Sequence, residues 1–107
     1  MTDTYNAIWV GYAFSQDFEA DPGAIVDGAV LWLDLRSAGA RKSVLLQHLE
    51  LERLSPTLFR LTLSAEQTAG LAAGEVMGDL ICRIGGVDYP LALRLAIPVV
   101  QPLSEPA

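Results

Sequence analysis

Few side chains in this sequence could carry chemistry, and their number and spacing limit what each could do. His48 is the only histidine and Cys82 the only cysteine. A two-histidine zinc site and a thiolate cluster therefore both lack parts, and an internal disulfide is impossible. A Ser-His-Asp triad is compositionally available, but no Gly-x-Ser-x-Gly turn presents a nucleophile. His48 lies beside Glu50 and Glu52 on an alternating stretch and reads as a surface strand residue. Cys82 falls on the apolar side of its own stretch, where a thiol behaves as a small buried hydrophobe.

The acidic groups offer more. Alternation places Asp17, Glu19 and Asp21 on one face, with Asp27 able to fold back towards them, and calcium accepts such oxygen ligands. Their spacing matches no calcium loop, however, and like charges on an edge strand guard against edge-to-edge pairing. A solvated edge without a tight calcium site is the expectation. Glu50 and Glu52 could in principle do acid-base work as a same-face pair, but nothing beside them supports it, so they read as solvent-exposed. Gly70, Gly74 and Gly78 are evenly spaced, yet a phosphate loop needs a strand, a glycine turn, a lysine and then a helix. Here a helix comes first and no lysine follows. Gly78 reads instead as a strand glycine facing a bulky neighbour. No catalytic, cofactor-binding or metal residue is expected.

These residues need elements to hold them. The 107 residues, 51% hydrophobic and 19% charged, suit one globular domain spanning 1–107. The net charge of −6 disfavours a nucleic-acid partner, because phosphate binding draws on Lys and Arg. Residues 1–6 lack the cationic and apolar parts of a secretory signal, and no run approaches a membrane span, so a cytoplasmic origin is expected.

Two-residue alternation dominates, as in strands. It reads as strands over Ile8 to Phe14, Ala29 to Arg36, Ser43 to Arg53, Thr57 to Leu63, Glu75 to Ile84 and Asp88 to Val100. Leu93 and Leu95 fall in the centre of the last apolar row. Gly85-Gly86 predicts a hairpin, while Ser55-Pro56, Asp21-Pro22-Gly23 and Ser37-Ala38-Gly39 provide turns. Ser64-Ala65-Glu66-Gln67 has the form of a capping box, predicting a short helix from Ala65 to about Ala72 closed by Gly74. Short strands with regular turns predict an all-β fold, an antiparallel β-sandwich of about 6–8 strands with one short helix; a small closed barrel is the alternative.

Trp9 and Trp32 lie opposite the aliphatic rows of their strands. They could pack in a core after a bulge, project into a protein partner, or form a carbohydrate platform with Tyr12 or Tyr5. The prolines at 98, 102 and 106 predict that 99–107 is an extended arm with Val100 and Leu103 as apolar anchors. The interface candidates are thus Trp9, Trp32, Val100 and Leu103.

In this order of elements, Leu61-Thr62-Leu63-Ser64-Ala65-Glu66-Gln67-Thr68, Leu71-Ala72-Ala73-Gly74 and Gly78-Asp79-Leu80 precede a closing hairpin. From about Gly28 to Val100 the chain resembles small immunoglobulin-like β-sandwich proteins encoded among the structural genes of tailed bacteriophages and prophages. The resemblance implies a non-enzymatic virion component of a tail, baseplate, neck or capsid surface. It also implies that the partners are other virion structural proteins and copies of the chain itself, in a homo-oligomer within the assembly. It places the protein in the virion, and in the host cytoplasm during assembly, and transfers no catalytic residue.

Overall fold

The computed structural model describes residues 7–37 and 45–103. Tyr5, the turn residues Ala38 and Gly39, the expected strand start at Ser43 and the arm beyond Leu103 lie outside them.

Among the described residues the alternating stretches become eight strands and one helix. In order they are β1 (Ile8–Trp9), β2 (Phe14–Glu19), β3 (Val30–Ser37), β4 (Leu45–Glu50), β5 (Glu52–Arg53), β6 (Leu58–Leu63), α1 (Ala65–Ala69), β7 (Gly74–Ile84) and β8 (Val87–Val100). One sheet has five strands in the order β1-β8-β7-β3-β4, and the other three in the order β2-β6-β5. Each sheet turns one apolar row inward. Leu31, Leu33 and Leu35 of β3, Val76, Leu80 and Cys82 of β7, and Leu95, Ile97 and Val99 of β8 join Phe14, Phe59, Leu61 and Leu63 in one core. Burying one such side chain stabilises the fold by roughly 1.5–3 kcal/mol, which is why register follows the apolar row. The division of strands between the sheets is that of an immunoglobulin-like β-sandwich. One strand pair is parallel rather than antiparallel: β1 runs alongside the end of β8, with Ile8 opposite Val99 and Trp9 opposite Val100.

Several expected elements are corrected. Ile8 to Phe14 is not one strand, because the chain changes sheets within it. Gly11 adopts φ 85°, which glycine accepts without strain, and the Tyr12 amide donates to the Trp9 carbonyl at 3.0 Å. Ser43 to Arg53 likewise divides at Leu51, whose amide donates to the Leu31 carbonyl before β5 joins the other sheet. Glu50 and Glu52 therefore belong to different sheets. Asp21 lies past the end of β2, away from the row of Asp17 and Glu19. The helix stops at Ala69 with Gly70 rather than Gly74 as its cap, and Leu71 turns into the core. Its capping box forms as expected: the Ser64 hydroxyl accepts from the Gln67 amide at 3.1 Å, and Gln67 Oε1 accepts from the Ser64 amide at 2.8 Å.

The largest correction concerns Leu93. Leu95 is fully buried, but Leu93 is 39% exposed. Leu91, Ala92 and Leu93 together stand opposite the single residue Leu80, between the pairs Asp79–Arg94 and Ile81–Pro90. Ala92 takes φ 57°, an uncommon conformation for a residue with a Cβ. This bulge detaches the first half of β8 from the apolar row that runs on from Leu95.

Gly78 shows why β7 needs a glycine at that point. A Cβ there would lie 2.8 Å from Leu33 Cδ1 and 3.0 Å from the Asp34 carbonyl oxygen, so β3 and β7 approach through it.

Candidate functional site

Thr68 ties α1 to the crossover between β1 and β2. It is the one polar side chain classed as buried among the described residues, at 0% exposure. Its hydroxyl accepts from the Gly11 amide at 3.0 Å and lies 2.8 Å from the Tyr12 carbonyl, to which it can donate. The capping box sets the start of the helix, and the helix thereby fixes the turn that presents Trp9 and Tyr12.

Those two rings line a groove of about 550 Å³ with Ala7, Ala13, Pro102 and Leu103. The lining side chains are apolar apart from the Trp9 indole N–H and the Tyr12 hydroxyl. Trp9 is 51% exposed and Leu103 104% exposed, whereas Pro102 is buried and anchors the segment after β8 to the body of the fold. Val100, directly opposite Trp9, is also exposed. Three of the four interface candidates named from sequence, Trp9, Val100 and Leu103, thus meet at one end of the sandwich.

The fourth, Trp32, lies elsewhere. It sits on the outer face of the five-stranded sheet, half-buried, with its indole N–H donating to Asp88 Oδ1 at 3.0 Å. Arg83 grips the same carboxylate through Nε (2.9 Å) and Nη2 (3.2 Å), and its guanidinium lies 5.5 Å from the Trp32 ring centroid. The hydrogen bonds from Arg83, and then from Trp32, hold the Asp88 carboxyl below the usual carboxylate range. Trp32 is therefore neither core nor an open platform: it braces the β7–β8 hairpin one residue pair behind its tip.

Around that brace the hairpin is apolar and open. Gly85 and Gly86 both take positive φ, as the tight turn requires. Val87 pairs with Ile84 and Tyr89 with Cys82, on the side that leads into the core. Yet Ile84, Val87, Tyr89, Leu91 and Leu93 are all exposed, Tyr89 by 50%. Sequence reasoning missed this patch, because alternation marks which residues share a face and not where the opposing sheet ends.

The other candidates from sequence are scattered. His48 Nδ1 lies 2.6 Å from Asp34 Oδ1 on the outer face, with its ring 5.1 Å from Trp32. Cys82 is buried. Asp17 is held by Arg60 across the β2–β6 pair, at 2.7 and 3.2 Å, and that hydrogen bonding lowers its pKa. Among the described residues no group of three His, Cys, Asp or Glu could hold a metal ion. No described helix is long and apolar enough to cross a membrane.

Sequence reasoning also missed Arg53. Its guanidinium donates to the carbonyls of Val26 (2.7 Å), Ile25 (2.8 Å) and Pro56 (2.9 Å), and it lies 5.1 Å from the Phe59 ring centroid. It fixes the β2–β3 connection to the three-stranded sheet. The class defined by this fold and its surfaces is an immunoglobulin-like sandwich with apolar ends. No protein-family model matches the chain, and searches of curated proteins and of solved structures found no match.

Proposed function

We propose that this protein is a non-enzymatic assembly module, a structural component of a bacteriophage or prophage virion that joins its neighbours through apolar contacts. The observation that carries the assembly role is the convergence of Trp9, Val100 and Leu103 on one exposed end, beside the groove lined by Tyr12 and Pro102. Contiguous exposed apolar surface of this kind is characteristic of protein–protein contacts. The virion setting rests on the resemblance of the stretch from about Gly28 to Val100 to phage structural sandwiches.

The test is incorporation. Leu103 is fully exposed, so Leu103→Asp should leave thermal stability within about 0.5 kcal/mol of the parent. The folded variant should be depleted from purified particles of the phage or prophage that encodes the chain. Equal incorporation of parent and variant, or absence of the parent from the particles, sinks the proposal.

A second reading draws on Trp9 and Tyr12 lining one groove, since paired aromatic rings can stack on a sugar. Binding of a monomeric chain to a glycan array, abolished by Trp9→Ala, would favour this carbohydrate-binding role over assembly.

A further inference from the structure

The proposed assembly role leaves the partner of the Trp9–Leu103 end open, and a second apolar patch bears on it. We infer that copies of this chain join head to tail, with the β7–β8 hairpin of one copy seated against the Trp9–Leu103 end of the next. This rests on the assembly reading and specifies its partner.

One patch starts at the hairpin end of β8 and reaches its middle at Leu93; the other lies at the opposite end of the strand. β8 runs from Val87, at the hairpin tip, to Val100, opposite Trp9. Fourteen residues of strand span roughly 40 Å at about 3.3 Å per residue, comparable with the molecule's longest dimension of 43 Å. The ends also differ in form. Pairing of β3 with β7 stops at Val30 opposite Arg83, so the Ile84-Gly85-Gly86-Val87 tip continues past the neighbouring strand as a projection. The Trp9–Leu103 end instead holds a groove of about 550 Å³. A projection and a groove can close on each other; two projections cannot.

Area supports the same pairing. The exposed fractions of Ile84, Val87, Tyr89, Leu91 and Leu93, and of Trp9, Tyr12, Val100 and Leu103, correspond to on the order of 400 Å² of side-chain surface per patch. With about 60% of a contact being apolar, one head-to-tail junction would bury roughly 1,300 Å² in total, within the range of specific interfaces. A two-fold contact through either patch would leave the other bare on every copy. A head-to-tail contact covers both on each interior copy, and as a heterologous contact it builds a ring or a filament.

Lateral joining is the competing arrangement, and β8 is built against it. β1 pairs only with Val99 and Val100, so the rest of that edge is open among the described residues. Pro90 and Pro98 remove two amide donors from the strand, and the bulge at Ala92 bends it between them. These are the devices by which edge strands avoid pairing with other chains.

The experiment is a complementation test by sedimentation velocity. Leu103→Asp disables the groove end and Val87→Asp the hairpin end, and circular dichroism establishes that each is folded. Should Val87→Asp not fold, Tyr89→Thr disables the same patch. The parent should form species larger than dimers as concentration rises. Each variant alone should remain monomeric, its association weakened on the order of 30-fold or more. Mixed one to one, the variants should form a dimer and stop there, because each supplies the surface that the other lacks.

Dimerisation of either variant alone would show a two-fold contact through its intact patch and overturn the inference. So would a monomeric mixture beside an assembling parent, or a parent that stays monomeric up to 1 mM, about a thousand times the micromolar affinity common at this area. In that last case the particles separate the two claims. Exclusion of both variants leaves the assembly role standing with other proteins as neighbours, whereas normal incorporation of both removes it.

Discussion

Replacing Thr68 by valine keeps the side chain's shape and removes only its hydroxyl. The residue is wholly buried, and the hydroxyl joins the Gly11 amide to the Tyr12 carbonyl. Its loss leaves that amide without its acceptor, and an unsatisfied buried donor costs about 1–3 kcal/mol. Gly11 is itself only half-buried, which favours the lower part of this range for the amide; the carbonyl adds a smaller penalty. The expected total is about 2 kcal/mol. At about 2.1 cal/mol/K per residue, a chain of 107 residues unfolds with an entropy near 0.22 kcal/mol/K, so the midpoint should fall by roughly 9 °C. Urea titration gives the free energy and a thermal melt the shift. Thr68→Ser separates hydroxyl from methyl, because it keeps both hydrogen bonds and should lose only about 1 kcal/mol. If valine proves as stable as the parent, or serine as damaging as valine, the hydroxyl does not hold the β1–β2 crossover.

Four further outcomes follow from other contacts. Gly78→Ala forces a Cβ against Leu33 and the Asp34 carbonyl, and should cost about 1–3 kcal/mol by urea titration despite the higher strand propensity of alanine. Arg53→Lys keeps the charge but cannot span the carbonyls of Ile25, Val26 and Pro56; about 2 kcal/mol should be lost, and limited proteolysis should move to loop 20–29. Gln16 Oε1 is buried without a hydrogen-bond partner, so Gln16→Leu should leave stability equal or higher in a thermal melt. Asp17, Asp79 and Asp88 are each held below the ordinary carboxylate value of 3.8 by hydrogen bonds from Arg60, Arg94 and Arg83 respectively. Their folded pKa values lie below the unfolded ones, so the stability they add is complete above about pH 5 and is lost as pH falls below about 4. All three pairs are solvent-exposed, and 1 M salt should flatten that acid-induced loss in pH-dependent melts.

The features legible in the sequence were those set locally. The capping box at Ser64 and Gln67, the Gly85-Gly86 turn, the glycine at 78 and the inward rows of β3, β6 and β7 each follow from residues within a few positions of one another. Alternation assigns side chains to one of two faces, and it did so correctly for Trp9 and Trp32, which lie opposite the aliphatic rows of their strands. It contains no information on where a sheet ends or where a chain crosses between sheets. Val10, Tyr12 and Phe14 continue the apolar alternation of Ile8, yet the chain turns at Gly11 because an amide there meets a hydroxyl 57 residues away. Leu93 continues the row of Leu95 in sequence, yet the two-residue excess at Ala92 removes it from the core. Arg53 was illegible because its ligands are backbone carbonyls, which every residue carries.

The same distinction explains why the candidate surfaces are at the ends. Along one edge of each sheet the sandwich discourages further pairing: Asp17 and Glu19 put charge on the β2 edge, and Pro90, Ala92 and Pro98 interrupt β8. These two edges, one in each sheet, are poor places to add a strand, and the exposed apolar surface lies instead along the strand direction. There the apolar alternation of β8 outlasts the core at one end and reaches Trp9 and Leu103 at the other. Trp32 supports this division, since it takes no part in either patch and instead holds Asp88 and Arg83 just behind the hairpin tip. A hairpin braced in this way presents its apolar row without first having to order it, so less conformational entropy is lost on docking. An outward-facing tryptophan that reads in the sequence as a contact residue thus becomes, in the folded chain, the support of a contact made by others.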